Sequence, residues 1–325
     1  MSKTPTLRKF FAQIPGTTNY TLTLSNNSYG YTTKCARAGQ HYIIDRRKLN
    51  RGTAALNAGT AFHSAMEIRS KITNDQQRKD LQQQSIEQFF QLNPVDEFEW
   101  RTSDRILELV EKYDKKYKND LVHTLKDSSG NPITEIKFTL PLGTIEVNST
   151  VNFGGQEVFI KTLFVQWIGR IDDLVELDGQ TWVRDYKTSS MFGPTYFNQF
   201  VISQQTMGYT WAARELGQDV AGVIIDLAVL RKPTPTGRPF DFDRQRFIYS
   251  HEQTDEWQEN TLEGIATFIS HLKSDFFPMT GTAEGCVFKY GKCPYFDVCS
   301  LPKSQRPEML NSTQYADVCE HEESE

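Results

Sequence analysis

The sequence lacks any apolar run long enough to form a membrane helix. Its longest apolar stretches, such as residues 223–225 and 227–230, are far shorter than the roughly 20 residues that cross a bilayer. Residues 1–16 are basic, but they contain no apolar core and no small-residue cleavage site. We therefore predict no signal peptide, no membrane partner and a cytoplasmic location, which is the host-cell cytoplasm if the chain is viral.

Cysteine and excess charge are also scarce. Five cysteines in 325 residues leave one without a partner, and a cytosolic chain rarely forms disulfides. The 36 basic and 41 acidic residues give a net charge of −5. Five of the acidic residues lie within the last ten positions, which contain no lysine or arginine, so the remaining chain is neutral. A neutral chain binds nucleic acid only through a local basic surface. The hydrophobic content of 38% is typical of a globular protein.

Three common motifs of nucleotide-binding proteins and hydrolases are missing. No G-x-G-x-x-G follows a predicted strand, which disfavours a dinucleotide-binding fold. Residues 285–293 resemble a P-loop, but five residues separate the glycines and Cys293 replaces the serine or threonine that holds magnesium. The G-x-S-x-G turn of serine hydrolases is absent as well. The chain is therefore predicted to have no motor of its own.

Apolar periodicity predicts helices, then a block of strands, then helix, strand, strand and helix. The predicted helices cover residues 54–72, 81–91, 106–117, 194–216 and 252–272. The predicted strands cover residues 134–140, 144–151, 158–168, 171–177, 181–186, 220–230 and 244–249. This order predicts an α/β fold: a central mixed β-sheet flanked by helices, with a helical N-terminal elaboration and a Cys-rich C-terminal segment. No break in composition divides the chain, so we predict one domain over residues 1–310 and a solvated acidic tail over residues 311–325.

Two carboxylates and a lysine stand close together around a predicted hairpin. Asp172 lies on one strand and Asp185 on the next, across a turn at Gly179. Lys187 follows Asp185 by two residues, so both side chains share a strand face. Carboxylates beside an ammonium group suit Mg²⁺ or Mn²⁺, which take oxygen ligands and can activate water at a phosphorus centre. The alternative is a surface ion pair between Asp172 and Lys187, which would contribute little to stability.

Two further pairs of polar residues stand at helical spacing. His63 lies four residues before Glu67 on the helix that starts near Gly59, so the two share a face. Gln205 and Tyr209 have the same spacing on a later helix. Each pair taken alone is explained equally well by packing or by a local hydrogen bond.

The order of these motifs resembles the RecB-like branch of the PD-(D/E)XK nuclease superfamily. Gly-Thr-x-x-His is followed by Gly-Arg-Ile-Asp, Asp-Tyr-Lys-Thr and Gln-x3-Tyr, within about residues 35 to 299. The resemblance implies a restriction-endonuclease-like core and a metal-dependent nuclease. It implies that Mg²⁺ or Mn²⁺ is bound by His63, Asp172, Asp185 and the Tyr186 carbonyl. It also implies that the catalytic residues are Lys187, Asp172 and Asp185, and that the site is lined by Gln205 and Tyr209. Glu135 matches a further acidic position of the family. Ile171 stands where the superfamily name has proline, a form common in this branch.

Three cysteines cluster near the C-terminus: Cys286, Cys293 and Cys299. Three thiolates are one fewer than most structural metal sites need, and Cys35 could supply the fourth. Alternatively, Cys35 is a small buried residue and the other three bind zinc or nothing. The placement resembles that of iron–sulfur members of the same branch, such as the AddB nuclease domain and the CRISPR-adaptation nuclease, and implies a 4Fe–4S cluster. Its spacing departs from theirs, because six residues rather than two separate Cys286 from Cys293.

Such a cluster would join the two ends of the chain, and we expect it to stabilise the fold rather than carry electrons. Cys319 lies in the acidic tail and receives no role.

Basic and aromatic residues near these motifs are candidates for DNA contact. The candidates are Arg37, Arg46, Arg47, Lys48, Arg51, Arg170, Arg184 and Lys187 for phosphates, and Tyr186, Phe192, Tyr196 and Phe197 for stacking on bases. Taken singly, most such residues are solvated charges or core aromatics.

We therefore predict a metal-dependent deoxyribonuclease that hydrolyses phosphodiester bonds in DNA repair, recombination or replication. Exonuclease action is implied by analogy alone. The expected partners are single-stranded DNA or duplex ends, with a helicase or recombination partner or a homo-oligomer as further possibilities. Two alternatives stay open: a subunit that binds DNA ends without cutting, and a zinc-stapled interaction protein.

Overall fold

The structure is a computed structural model that describes residues 10–50, 53–235, 237–288 and 291–318. Its α-helices are α1 Asn26–Lys34, α2 Ala36–Gly39, α3 Ala54–Lys71, α4 Asp75–Leu92, α5 Ser103–Lys116, α6 Pro194–Phe197, α7 Gln204–Glu215, α8 His251–Ser274, α9 Ala283–Cys286, α10 Phe296–Cys299 and α11 Arg306–Leu310. Its strands are β1 Phe11–Gln13, β2 Tyr20–Ser25, β3 Arg47–Leu49, β4 His123–Thr124, β5 Thr134–Phe153, β6 Gln156–Leu177, β7 Gln180–Ser189, β8 Val220–Leu230, β9 Phe240–Ile248, β10 Val287–Phe288, β11 Gly291–Lys292 and β12 Tyr315–Asp317. No helix in these ranges is long and apolar enough to cross a membrane.

The chain forms two compact units that alternate along the sequence. The first unit comprises Met1–Arg51, Lys137–Gly169 and Asp255–Glu325, and the second comprises Gly52–Ile136 and Arg170–Thr254. The prediction of a single domain over residues 1–310 stays a prediction.

The second unit is built on a mixed sheet. The C-terminal part of β6 pairs antiparallel with β7, β7 pairs parallel with β8, and β8 pairs antiparallel with β9. The short strand β4 pairs antiparallel with β6. The parallel pair is connected through α6 and α7, because parallel strands need a crossover and cannot be joined by a tight turn.

Helices cover both faces of this sheet. On one face, apolar residues of α3 and α5 pack around Tyr186 of β7 and Ala228 of β8. Because side chains alternate along a strand, Asp185 and Lys187 point to the opposite face, where Lys187 reaches Gln205 of α7. This arrangement of a mixed sheet flanked by helices confirms the predicted fold class.

The first unit contains its own strand pairs. β1 pairs antiparallel with β2, and β2 runs parallel to the N-terminal part of β6. Ser25 ends β2 and caps α1, since its side chain accepts a hydrogen bond from the Ser28 backbone N–H. Trp167 of β6 packs edge-on against Tyr29 and Trp257, with ring centroids 5.7 and 5.4 Å apart. The strands β1 and β2 were not predicted, so the N-terminal segment is not purely helical.

Several predicted boundaries are wrong. The strands predicted at residues 134–140 and 144–151 form the single strand β5, and those predicted at 158–168 and 171–177 form β6. The single helix over residues 194–216 is broken into α6, a 3₁₀ turn at Asn198–Phe200 and α7. Ser203 starts α7 afresh because its hydroxyl accepts a hydrogen bond from Thr206 N–H, while the Thr206 hydroxyl donates to the Phe200 carbonyl.

At the C-terminus, residues 311–318 are folded, because β12 pairs antiparallel with β3. They do not form the solvated tail that the charge pattern suggests. The rest of the predicted tail, with Cys319, lies outside the described residues.

Candidate functional site

Adjacent aspartates on β6 serve different purposes because they point to opposite faces of the sheet. Asp173 is buried and binds the equally buried guanidinium of Arg184 through both carboxylate oxygens. Ser70 and Thr124 each donate a hydroxyl to Asp173 Oδ2 at 3.1 Å. Arg184 is therefore a structural cation inside the second unit, and its predicted contact with phosphate is wrong.

Asp172 belongs to a more open group of charges. Its Oδ2 accepts a hydrogen bond from the Tyr186 backbone N–H at 3.0 Å and lies 3.3 Å from His63 Nδ1. The His63 side chain is 31% exposed and that of Asp172 13%. Burial raises the pKa of Asp172, but His63 and the Tyr186 N–H outweigh it, so the net shift is downward. Burial lowers the pKa of His63, but the Asp172 carboxylate raises it by more.

Asp185 and Lys187 begin a chain of polar contacts that reaches α7. Lys187 Nζ donates to Asp185 Oδ1 at 2.9 Å and to Gln205 Oε1 at 2.9 Å, and Gln205 Nε2 donates to Tyr209 Oη at 3.2 Å. The Asp185 side chain is 3% exposed, so burial raises its pKa even though Lys187 lowers it. The structure thus brings together all four residues that the sequence placed on β7 and α7.

Local sequence explains how His63 is held. Thr53 caps α3 by accepting a hydrogen bond from Leu56 N–H, which sets where the helix begins. Gly59 allows the helix to approach β7 closely, because a Cβ at this position would lie 3.2 Å from Thr188 Oγ1. Glu67 pairs with Lys71 on the same helix and makes no direct pair with His63.

Glu135 and Arg170 add a second ion pair near these charges. Arg170 Nη1 lies 2.8 Å from Glu135 Oε2. Burial raises the pKa of Glu135 to about 7, with Arg170 lowering it and Asp172 raising it. Glu135 also has φ of +53°, a left-handed conformation that is uncommon for a residue other than glycine. The sequence pattern offered no sign that these two residues pair.

The donor chemistry of this group fits a divalent cation, although the ligands are not gathered around one point. Within the described ranges, no group of three or more His, Cys, Asp and Glu side chains is arranged to hold a metal ion. Asp172 is instead paired with His63, and Asp185 with Lys187. Asp185 Oδ2 is buried, and no donor among the described residues gives it a hydrogen bond of good geometry, although Lys187 Nζ lies 2.7 Å away. Such an acceptor is suited to a cation.

The four predicted cluster cysteines line one cavity of the first unit. The cavity holds about 230 Å³, and Cys35, Cys286, Cys293 and Cys299 all contribute to its wall. Burial raises the pKa of Cys293, and the neighbouring thiols of Cys35 and Cys286 raise it further. Burial likewise raises the pKa of Cys299, together with Cys293 and Cys35. All four are free of disulfides, but among the described residues they are not arranged as a group that could hold a metal ion.

Three of the arginines that were predicted to contact DNA have partners within the protein. Arg46 pairs with Asp317 at 3.1 Å, and Arg47 binds the Asn311 side chain at 2.8 Å, so both stabilise the C-terminal segment. Arg37 Nε donates to the Phe277 carbonyl at 2.8 Å. Contact of these three arginines with DNA stays a prediction, while Arg51 lies outside the described residues.

Three of the four predicted stacking residues are buried: Tyr186, Tyr196 and Phe197. Tyr196 packs edge-on against Phe197 and Phe200, and burial raises its pKa to about 12. This placement does not present the Tyr196 ring to a base. Phe192, by contrast, is exposed.

Comparison with known proteins gives a match over most of the chain. The family profile described as the PD-(D/E)XK nuclease superfamily matches residues 23–300. No curated protein matches the chain. Among solved structures, a candidate exonuclease from Eubacterium rectale aligns with a TM-score of 0.47 and 13% identity, over 90% of this chain and 93% of that one. A protein named SSO0001 aligns with a TM-score of 0.24 and 12% identity, over 63% of this chain and 73% of that one.

Proposed function

Because the chain belongs to the PD-(D/E)XK nuclease superfamily, we propose that it is a metal-dependent deoxyribonuclease that hydrolyses phosphodiester bonds. The observation that carries the proposal is the partly buried Asp185–Lys187–Gln205 contact beside the Asp172–His63 pair. A purely structural ion pair would need neither a second carboxylate nor a glutamine to fix the ammonium group.

Members of this superfamily typically use divalent metals such as Mg²⁺. We assign its ligands in this chain to His63, Asp172, Asp185 and the Tyr186 carbonyl. A bound Mg²⁺ or Mn²⁺ supplies charge neutralisation at phosphorus and lowers the pKa of water. The carboxylates provide the oxygen donors that such ions prefer.

Of the other polar groups, Lys187 acts on the substrate and two side chains hold it in place. Lys187 is placed to donate a hydrogen bond to an oxygen that gains negative charge as the phosphodiester is attacked. Gln205 accepts a hydrogen bond from the ammonium group, and Tyr209 in turn accepts one from Gln205, so the lysine is held in one orientation. Gln205 and Tyr209 also line the space where the DNA backbone would lie.

The test is a cleavage assay with end-labelled DNA and Mg²⁺ or Mn²⁺. We expect Lys187→Ala to reduce the rate at least about 100-fold, the scale on which loss of one stabilising donor acts. Lys71→Ala is the matched control, because Lys71 pairs with Glu67 at a surface position of α3. Equal activity of the wild type and Lys187→Ala would refute the assignment.

The product ladder of the same assay separates exonuclease from endonuclease action, and we propose exonuclease. No cutting by folded wild-type protein, with any DNA and either metal, would favour the alternative of a subunit that binds DNA ends without cutting. We further propose a cytoplasmic role in DNA repair, recombination or replication, with a helicase or recombination partner or a homo-oligomer.

We propose that the chain belongs to the RecB-like branch and that Cys35, Cys286, Cys293 and Cys299 hold a 4Fe–4S cluster. Their shared cavity supports this proposal. The cluster would tie the N-terminal and C-terminal segments of the first unit together, so its binding would be coupled to folding. Cys286→Ala should abolish the visible absorbance of anaerobically purified protein and lower its melting temperature. Full iron content with unchanged melting in that variant would refute the proposal, and zinc without iron would favour a zinc staple.

A further inference from the structure

Two loops meet at the edge of the sheet beside the proposed active site. Strands β7 and β8 are parallel, so their C-terminal ends lie at the same edge. Lys187 is two residues from the end of β7 at Ser189, and β8 ends at Leu230. In parallel sheets, ligands commonly bind at the carboxyl edge, beyond the ends of the strands.

The loop after β7 is apolar and partly exposed. Residues 188–203 contain no charged residue. Phe192 is 43% exposed, so one face of its ring is open to solvent rather than packed in the core. Ser189 Oγ accepts a hydrogen bond from the Met191 backbone N–H at 2.9 Å, so the start of the loop is fixed to the strand end.

The loop after β8 is basic, and hydrogen bonds close its base. Residues 231–239 contain Arg231, Lys232 and Arg238, no acidic residue and three prolines. The Arg231 backbone N–H donates to the Pro239 carbonyl at 2.9 Å, and Arg231 Nη1 donates to the Arg238 carbonyl at 3.3 Å. These bonds close the base of the loop and orient the arginine.

A contact between two side chains links the described parts of the two loops. The Arg231 guanidinium carbon lies 5.8 Å from the centroid of the Phe192 ring. An exposed aromatic ring beside an arginine, with two more basic residues on the same loop, is the combination that stacks an unpaired base and neutralises its phosphates.

We propose that Phe192 and Arg231 form a platform that binds single-stranded DNA next to Lys187. The proposal rests on the function proposed above and names its substrate class. Bases within a duplex are stacked on one another and offer only their edges, whereas an unpaired base offers a face to the Phe192 ring. Positive charge on one loop and the absence of charge on the other favour a polyanion with exposed aromatic faces over an acidic peptide.

The experiment measures binding rather than cutting, in the Lys187→Ala background with EDTA. Fluorescence anisotropy compares a labelled single strand with a hairpin duplex of the same sequence. Phe192→Ala should weaken single-strand binding by about 5- to 150-fold, the range measured when one stacking residue is truncated, and should leave duplex binding nearly unchanged. Arg231→Gln should reduce the salt dependence of single-strand binding by the equivalent of about one phosphate contact.

Phe98→Ala is the matched control, because Phe98 is an even more exposed phenylalanine of the same unit. Equal effects of Phe98→Ala and Phe192→Ala, or equal losses for single strand and duplex, would overturn the platform. Thermal melting checks that both variants fold.

The wild-type cleavage assay keeps the two proposals distinguishable. If wild-type protein cuts DNA while Phe192→Ala binds a single strand as well as its parent, the platform is wrong and the nuclease stands. If wild-type protein never cuts, the nuclease is wrong, and selective loss of single-strand binding in Phe192→Ala still supports the platform.

Discussion

Substitutions at Asp172 and Asp173 test whether the two faces of this sheet have different roles, one in the candidate site and the other in stability. The same change, aspartate to asparagine, is made at two adjacent positions. Asp173→Asn leaves the Arg184 cation buried, since both side chains are 1% exposed. An arginine does not lose its proton in a protein, so this charge stays uncompensated. Removing one partner of a buried pair costs about 3–5 kcal/mol, which corresponds to a fall of roughly 4–7 °C in the melting temperature of a 325-residue chain.

Asp172→Asn should behave in the opposite way. Its partner His63 is 31% exposed and can lose its proton at pH 8, so no charge is stranded. We expect a loss of about 1 kcal/mol or less in the free energy of unfolding, because the pair is partly screened by water, and complete loss of metal-dependent cleavage. Asp173→Asn should still cleave at a temperature where it is folded.

Both variants are compared at pH 8 by urea unfolding and by the cleavage assay. The double variant Asp173→Asn, Arg184→Met should recover part of the lost stability, because it removes the stranded cation. If the two single variants lost equal stability, the assignment of Asp173 to structure and Asp172 to the site would be refuted.

Two further predictions concern a carboxyl group and a glycine. Burial raises the pKa of Glu135 from 4.5 to about 7, so the native state binds this proton more tightly than the unfolded chain and loses stability as the pH rises between those values. In EDTA, Glu135→Gln should gain up to about 3 kcal/mol relative to wild type between pH 4.5 and 8. Urea unfolding measures this, and parallel pH profiles would contradict it. Gly222→Ala should destabilise by at least about 2 kcal/mol, because its Cβ would lie 1.9 Å from the Phe247 carbonyl oxygen. The control Gly30→Ala meets nothing within 4 Å in α1 and should be neutral or stabilising in thermal melts, whereas equal effects would rule out the clash.

Helices α3 and α5 were predictable because caps and apolar spacing are local. Helix α3 follows its capping residue Thr53, and α5 shows regular apolar spacing. The long strands were not predictable as units. Strand β6 was expected to break near Gly169, yet it continues through this residue. Glycine is required there by close packing, since a Cβ would lie 2.6 Å from the Phe138 ring, and nothing local in the sequence reveals that contact.

In the candidate site too, contacts within one strand or helix were predictable, whereas contacts between elements were not. The contact of Lys187 with Asp185 follows from the period of a strand, and that of Tyr209 with Gln205 from the period of a helix. The hydrogen bond from Lys187 to Gln205, which joins the two pairs, exists only because α7 packs beside β7. The charge pattern also could not distinguish basic residues that stabilise the core from those available for DNA contact, because Arg184 and Arg231 both stand next to buried strand residues. The first is committed to Asp173 within the core, while the second lies on a loop beside an exposed ring. An arginine in this chain is therefore a candidate for DNA contact only where the fold leaves its guanidinium without a buried carboxylate.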